Sequence, residues 1–227
     1  MVAGSQGCHL ERFVLYPAKP LKLEDCIEQG VRSELYIVEG DSAASAVCRV
    51  RDERFQAVLP MQGKPLNAVR ATQKKVIANP WLLALTEALG AGMGDDFNLN
   101  KMRYGRIVLL MDPDADGIHC GALLLMFFRR WMQPLIESGR ILMVRAPLAT
   151  IIFGDQNIHV RSEVEYRAEG ERLRVAGNSN FQMNRYRGLA GIDLDVLAQT
   201  CVNPATRVLL SVGIVDADAA IAVFGGA

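Results

Sequence analysis

An apolar run, Arg106-Ile-Val-Leu-Leu-Met111, passes without a break into Asp112-Pro-Asp114-Ala-Asp116-Gly117, and this junction constrains the chain more than any other stretch. A continuous run of β-branched and aliphatic residues reads as a strand covered on both faces. Alternate residues of an extended segment point the same way, so Asp112, Asp114 and Asp116 crowd three negative charges onto one side of the strand's end. Like charges at that spacing repel one another, and a hard cation that prefers oxygen ligands, such as Mg²⁺ or Mn²⁺, relieves the repulsion. A solvated acidic turn is the alternative, since short Asp/Gly strings are common in loops. Asp-x-Asp-x-Asp-Gly also opens a calcium-binding EF-hand loop, but the twelfth loop position is Leu123, where that loop needs a bidentate Glu. The EF-hand is rejected.

At 227 residues and half hydrophobic, the chain is long enough to bury one good core and is not a disordered sequence. Its 25 Lys and Arg balance 25 Asp and Glu, so no global basic field attracts nucleic acid and any such contact must be local. The five cysteines, Cys8, Cys26, Cys48, Cys120 and Cys201, are scattered and show no Cys-x-x-Cys spacing. That pattern suggests neither a disulfide framework nor a zinc site and fits a reducing cytoplasm. The N-terminus lacks the apolar stretch of a signal peptide, and the longest apolar run, Ala122 to Phe128, is too short to span a bilayer. No membrane partner is expected.

Residues 1–32 read as an irregular lead-in in which Pro17 and Pro20 bracket Ala-Lys. From Ser33 the pattern sharpens: Leu35 to Val38 is a buried strand, Glu39-Gly-Asp41-Ser42 a turn, and Ser42 or Asp41 caps the helix that follows. Ala57 to Leu59 predicts another strand, Leu66 to Ile77 and Trp81 to Leu89 predict helices, and Gly90, Gly92 and Gly94 a loop. After the Asp cluster, Ile118 to Ile136 predicts a helix whose end Pro134 bends, and Ile141 to Val144 the next strand. Strand and helix alternate, which implies an α/β fold with a mostly parallel β-sheet flanked by helices over 33–148. Residues 149–227 predict a small α+β appendage: a hairpin over Ile151 to Val160, a charged stretch from Glu163 to Arg174, and a closing helix and strand from Asp193 to Ile214.

Glu39 ends its strand as Asp112 ends the later one. Ligands collect at the carboxyl ends of strands in open parallel sheets, so the two positions converge if those strands are neighbours.

Four ordered motifs then resemble one family: Glu39-Gly-Asp-Ser-Ala43, Leu59-Pro-x-x-Gly63-Lys64-x-Leu66-Asn67, Met102-Arg-Tyr-Gly-Arg-Ile107 and Asp112-x-Asp114-x-Asp116-Gly117-x-His119. Together they look like the Toprim domain of type II topoisomerase B subunits, whose bacterial members are DNA gyrase and topoisomerase IV. Arg185-Tyr-Arg-Gly-Leu189 and Asn203-Pro-Ala-Thr-Arg207 resemble that family's tail and separate the chain from Toprim primases and nucleases. The resemblance spans roughly Ser33 to Phe224.

It implies a Mg²⁺ site (Mn²⁺ an alternative) held by Glu39, Asp112 and Asp114, with Asp116 able to share in coordination. It also implies double-stranded DNA and a tyrosine-bearing A-type subunit as partners, with DNA cleavage and religation as the activity. Lys64 and Asn67 correspond to DNA-contacting positions, and Arg185 and Arg187 to further backbone contacts or structural ion-pair partners. His119 is expected to be a polar residue at a helix start. None of Tyr16, Tyr36, Tyr104, Tyr166 and Tyr186 lies in a context resembling the nucleophile. With no room before Ser33 for the family's ATPase region, the chain is not expected to hydrolyse ATP on its own.

The sequence departs from the family in places. Ala44-Ser45-Ala46 replaces a Gly-Gly-Ser run, Gln62 replaces a basic residue, and Gly188-Leu-Ala190-Gly191-Ile192 replaces Gly-Leu-Gly-Glu-Met. Those changes and the missing ATPase region motivate an alternative expectation, a catalytically weak, truncated paralogue that docks on DNA or the A subunit without turnover; a freestanding Toprim nuclease or primase is the third.

Overall fold

A computed structural model describes residues 22–178 and 180–226; residues 1–21 of the expected lead-in lie outside the described residues. The chain runs β1 (Gly30–Val38), α1 (Asp41–Cys48), β2 (Gln56–Pro60), α2 (Gln73–Ile77), α3 (Pro80–Leu89), β3 (Tyr104–Met111), α4 (Ala115–Trp131), α5 (Gln133–Glu137) and β4 (Ile141–Arg145). It continues through β5 (Ala149–Phe153), β6 (Gln156–Val160), α6 (Glu163–Val175), β7 (Gln182–Arg185), α7 (Leu194–Leu197), β8 (Leu209–Ser211) and α8 (Ile214–Phe224).

The main sheet has the order β2-β1-β3-β4-β8. Its first four strands are parallel, and β8 closes the edge antiparallel to β4, with Met143 opposite Leu210. Successive side chains of a strand face opposite ways, and here each way is apolar. Leu35, Ile37, Ile107, Leu109 and Met111 enter the larger core with Leu82, Leu85, Phe127 and Phe128 of α3 and α4. Tyr36, Val38, Val108 and Leu110 face the other core, with Ala43 and Val47 of α1 and Leu189, Ile192, Leu197 and Cys201 of the tail. The outcome is the expected α/β sheet with helices on both faces. A second sheet, β6-β5-β7, is antiparallel and packs on α6 through Ile151, Val160 and Leu173.

Four local expectations change. No side chain caps α1, which starts after Gly40, so neither Ser42 nor Asp41 plays the expected part. Only Gln73–Ile77 of the predicted 66–77 helix is helical. The Asn67 side chain accepts the Val69 and Arg70 amides (3.2 and 3.3 Å), offering the backbone a turn in place of a helix. The long helix stops at Met132 and restarts as α5, because Pro134 removes an amide and clashes with the preceding turn but suits the first turn of a new helix. Of the lead-in, Leu23 and Cys26 are buried, and Glu24 bridges antiparallel to Val58 of β2. Two isolated apolar residues carry no periodicity, so sequence alone left them outside the core.

Candidate metal centre

The acidic residues meet where β1 and β3 end. These strands are parallel neighbours with Ile37 opposite Leu109, so Glu39 and Asp112 leave adjacent positions on the same sheet edge. The Asp112 amide donates to Glu39 Oε1 at 2.9 Å. Asp114 caps α4 by accepting the Gly117 amide at 2.8 Å, a preferred arrangement for a helix start. Gly117 lets the helix start lie against Glu39: a Cβ there would stand 2.1 Å from the Asp112 carbonyl oxygen and 2.5 Å from Glu39 Oε1. Glu39 thereby sits over the positive end of a 17-residue helix.

The tail contributes as well. Leu189 donates its amide to Asp112 Oδ1 at 2.8 Å, and Gly188, at φ +71°, packs so close that a Cβ would stand 2.7 Å from Asp112 Oδ2. The Arg185–Leu189 motif was visible in the sequence; that its glycine and leucine touch Asp112 was not, because the contact spans 77 positions.

Burial pushes the Glu39 carboxyl above its usual range, and the charges of Asp112, Asp114 and Asp116 add to the push, opposed by the hydrogen bond from Asp112. Asp112 is raised too, first by burial and then by Asp114, against the Leu189 amide. The Cys120 thiol is pushed up to about 11 by burial and by Glu39, so it stays protonated at neutral pH and offers no thiolate.

Among the described residues, no three acidic, histidine or cysteine side chains already stand at the mutual spacing of a ligand set. The donor chemistry nonetheless fits a hard divalent cation. Glu39, Asp112 and Asp114 each engage one carboxylate oxygen with a backbone amide, which leaves each its second oxygen. Their mutual repulsion is the kind a cation relieves.

The remaining expected site residues are spread around this centre. Lys64 pairs with the exposed Asp116 at 3.1 Å, so that carboxylate is turned to a lysine. Asn67 is engaged within the chain on both sides of its amide, donating to the Phe224 carbonyl at 3.2 Å while its oxygen holds the turn described above. Arg185 ends β7, pairs with Glu163 and lies over the Tyr166 ring. Arg187 is exposed just before the Gly188 contact. His119 stacks on Phe224 of α8, ring centroids 4.8 Å apart, and so joins two helices. Two cations that the motifs did not single out, Arg145 and Arg161, line a cavity whose wall includes Asp112. Gln62, in place of a basic residue, reaches Asp41 at 3.5 Å.

The parallel sheet, the acidic pair at its carboxyl edge and the helix starting between them define a class: residues 34–146 match the Toprim domain family, and the chain belongs to the proteins that carry this domain. Within that class its relatives are B subunits of DNA gyrase. It is 40% identical over 206 residues to the DNA gyrase B subunits of Thermotoga maritima and Archaeoglobus fulgidus, covering 90% of this chain and 32% of each relative. The Thermus thermophilus B subunit of the same name is 39% identical over 203 residues, 87% of this chain and 32% of the relative. The chain therefore spans about a third of the length of the curated relatives it matches, and the match runs past the Toprim domain into the tail. Among the described residues no helix is long and apolar enough to cross a membrane.

Proposed function

We propose that this chain supplies the acidic, divalent-cation-binding part of a DNA cleavage and religation centre of the type II topoisomerase kind, acting in the cytoplasm with a tyrosine-bearing A-type subunit on double-stranded DNA. The observation that carries the reading is the meeting of Glu39 and Asp112 across β1 and β3, bonded at 2.9 Å over the start of α4. Glu39, Asp112 and Asp114 would hold Mg²⁺ or Mn²⁺, with Asp116 able to join them once released from Lys64.

A bound cation would supply positive charge to a departing 3′ oxygen and to the neighbouring phosphate. The protein's part is positioning. The Asp112 and Gly117 amides orient Glu39 and Asp114, and the helix start favours negative charge at Glu39. Lys64, Arg185 and Arg187 are the proposed contacts to the DNA backbone, with Asn67 beside them holding the turn that follows Lys64. Such contacts fix register without reading sequence. The nucleophile is assigned to the partner.

The docking module without turnover is favoured by one observation: Lys64 and Asn67 are both satisfied within the chain, which leaves less free charge for a phosphate. Plasmid nicking and cleavage with Mg²⁺ or Mn²⁺, run with and without an A-type subunit and repeated with Asp112→Asn, separates the readings. Protein-linked breaks that need both partners and vanish in the variant are expected. Cation binding with no breaks under any pairing would leave the docking module, and breaks by the chain alone would point to a nuclease.

A further inference from the structure

The Asp112 carboxylate needs an external restraint, because the terminal torsion of an aspartate is broad and two-fold and the strand end does not fix it. Asp114 obtains its restraint locally, from the third residue of the turn it caps. Asp112 obtains its own from the tail: the Leu189 amide holds Oδ1 at 2.8 Å, and the Cα of Gly188 leaves room for Oδ2 that any side chain would fill. The turn is itself seated firmly. Leu189 and Ile192 are buried against Val38, Ala43 and Leu110, and the same cluster continues through Leu197 and Cys201. Beyond it, Arg207 grips Glu34 through two nitrogens at 2.7 and 2.5 Å. Glu34 lies five residues before Glu39, about 17 Å along an extended strand, so Arg207 bears on the acidic edge only through the tail.

We propose that the Gly188–Leu189 turn is a built-in positioning clamp on Asp112, which presents that carboxylate's second oxygen to the cation only while the tail is docked on the sheet. The clamp rests on the metal reading above for its purpose, though not for its geometry. Gly188 and Leu189 are thus positioning residues, and tail docking becomes a condition for an assembled metal centre.

Two measurements on the full chain test it. In chelator, hydrogen exchange of the Leu189 amide is followed in wild type and in Asp112→Ala. The expected result is exchange at least tenfold faster at Leu189 with the Leu109 amide of β3 unchanged; equal exchange at Leu189 overturns the clamp. Mn²⁺ affinity is then measured by electron paramagnetic resonance of the free ion. Gly188→Ala is expected to weaken binding at least tenfold, whereas Gly191→Ala, in the same turn and with nothing within 4 Å of its added methyl, is expected to bind as wild type. A Gly188→Ala chain that keeps wild-type affinity where Asp112→Ala has lost it also overturns the proposal. Equal Mn²⁺ binding by wild type and Asp112→Ala would instead remove the metal reading, with the exchange result still deciding the clamp.

Discussion

Glycine 117 shows how much of the acidic edge rests on one missing methyl group. The backbone oxygen of Asp112 and the carboxylate of Glu39 both occupy the space a Cβ would take; the carboxylate ends a flexible side chain, but the Asp112 oxygen is backbone and cannot swing away. Gly117→Ala must therefore push the start of α4 off the strand ends, and we expect a cost of about 3 kcal/mol, the upper part of the usual range for overpacking a tight site. Urea unfolding measures it; a loss below about 1 kcal/mol would show that the helix start shifts freely. Sequence made Gly117 visible as part of the Asp-Gly motif. It did not show that the contact is with Glu39, whose position in space is set by a strand far earlier in the chain.

The hairpin of β5 and β6 carries a pH dependence of its own. His159 of β6 faces Thr150 of β5 at 2.8 Å, and the same hydroxyl meets the Tyr186 hydroxyl at 2.8 Å just beyond β7. Burial lowers the His159 pKa below its ordinary 6.5, and the Arg161 charge adds to the effect. The folded chain thus resists a proton that the unfolded chain accepts at about 6.5. Stability from this group is present above about pH 6.5 and is lost as pH falls from there through the lower, folded value. Thermal unfolding followed between about pH 7.5 and 5 should show a fall that is smaller in His159→Gln; identical pH profiles for the two chains would refute it. The predicted hairpin over 151–160 is observed as Ala149–Phe153 and Gln156–Val160, antiparallel strands joined at Gly154 and Asp155. The third strand, β7, was missed because four mostly polar residues, Gln182-Met-Asn-Arg185, carry no strand signal until β5 stands beside them.

Across the whole molecule, the tail is joined to the main sheet by a buried ion pair. Glu34 and Arg207 are 3% and 2% exposed in their side chains, and Gln56 and Tyr36 complete the group around them. Removing one partner of such a pair leaves an uncompensated buried charge, which typically costs about 3–5 kcal/mol. Arg207→Met should cost about 3 kcal/mol, the low end, because Gln56 still donates to Glu34 at 3.0 Å and Arg106 stands 3.6 Å away. Adding Glu34→Leu should recover part of that loss in a double-mutant cycle by urea unfolding. Strictly additive losses would mean that the two side chains do not act as a unit.

The sequence by itself determined the layered α/β architecture, the parallel strands and the acidic edge, because these follow from local patterns: apolar runs of strand length, helix starts, and carboxylates at a strand's end. Glu39 and Asp112 were legible as a pair only on the condition that their strands are neighbours, and the sheet order β2-β1-β3-β4 meets that condition. What only the tertiary structure decided is how each polar side chain is held. Asp112 is pinned by an amide 77 residues away, Asn67 is turned inward to the end of α8, and Glu34 is neutralised by an arginine 173 residues away. Each is a polar contact between segments distant in the chain. Periodicity records which face of an element is buried; it holds no record of which distant backbone group arrives there.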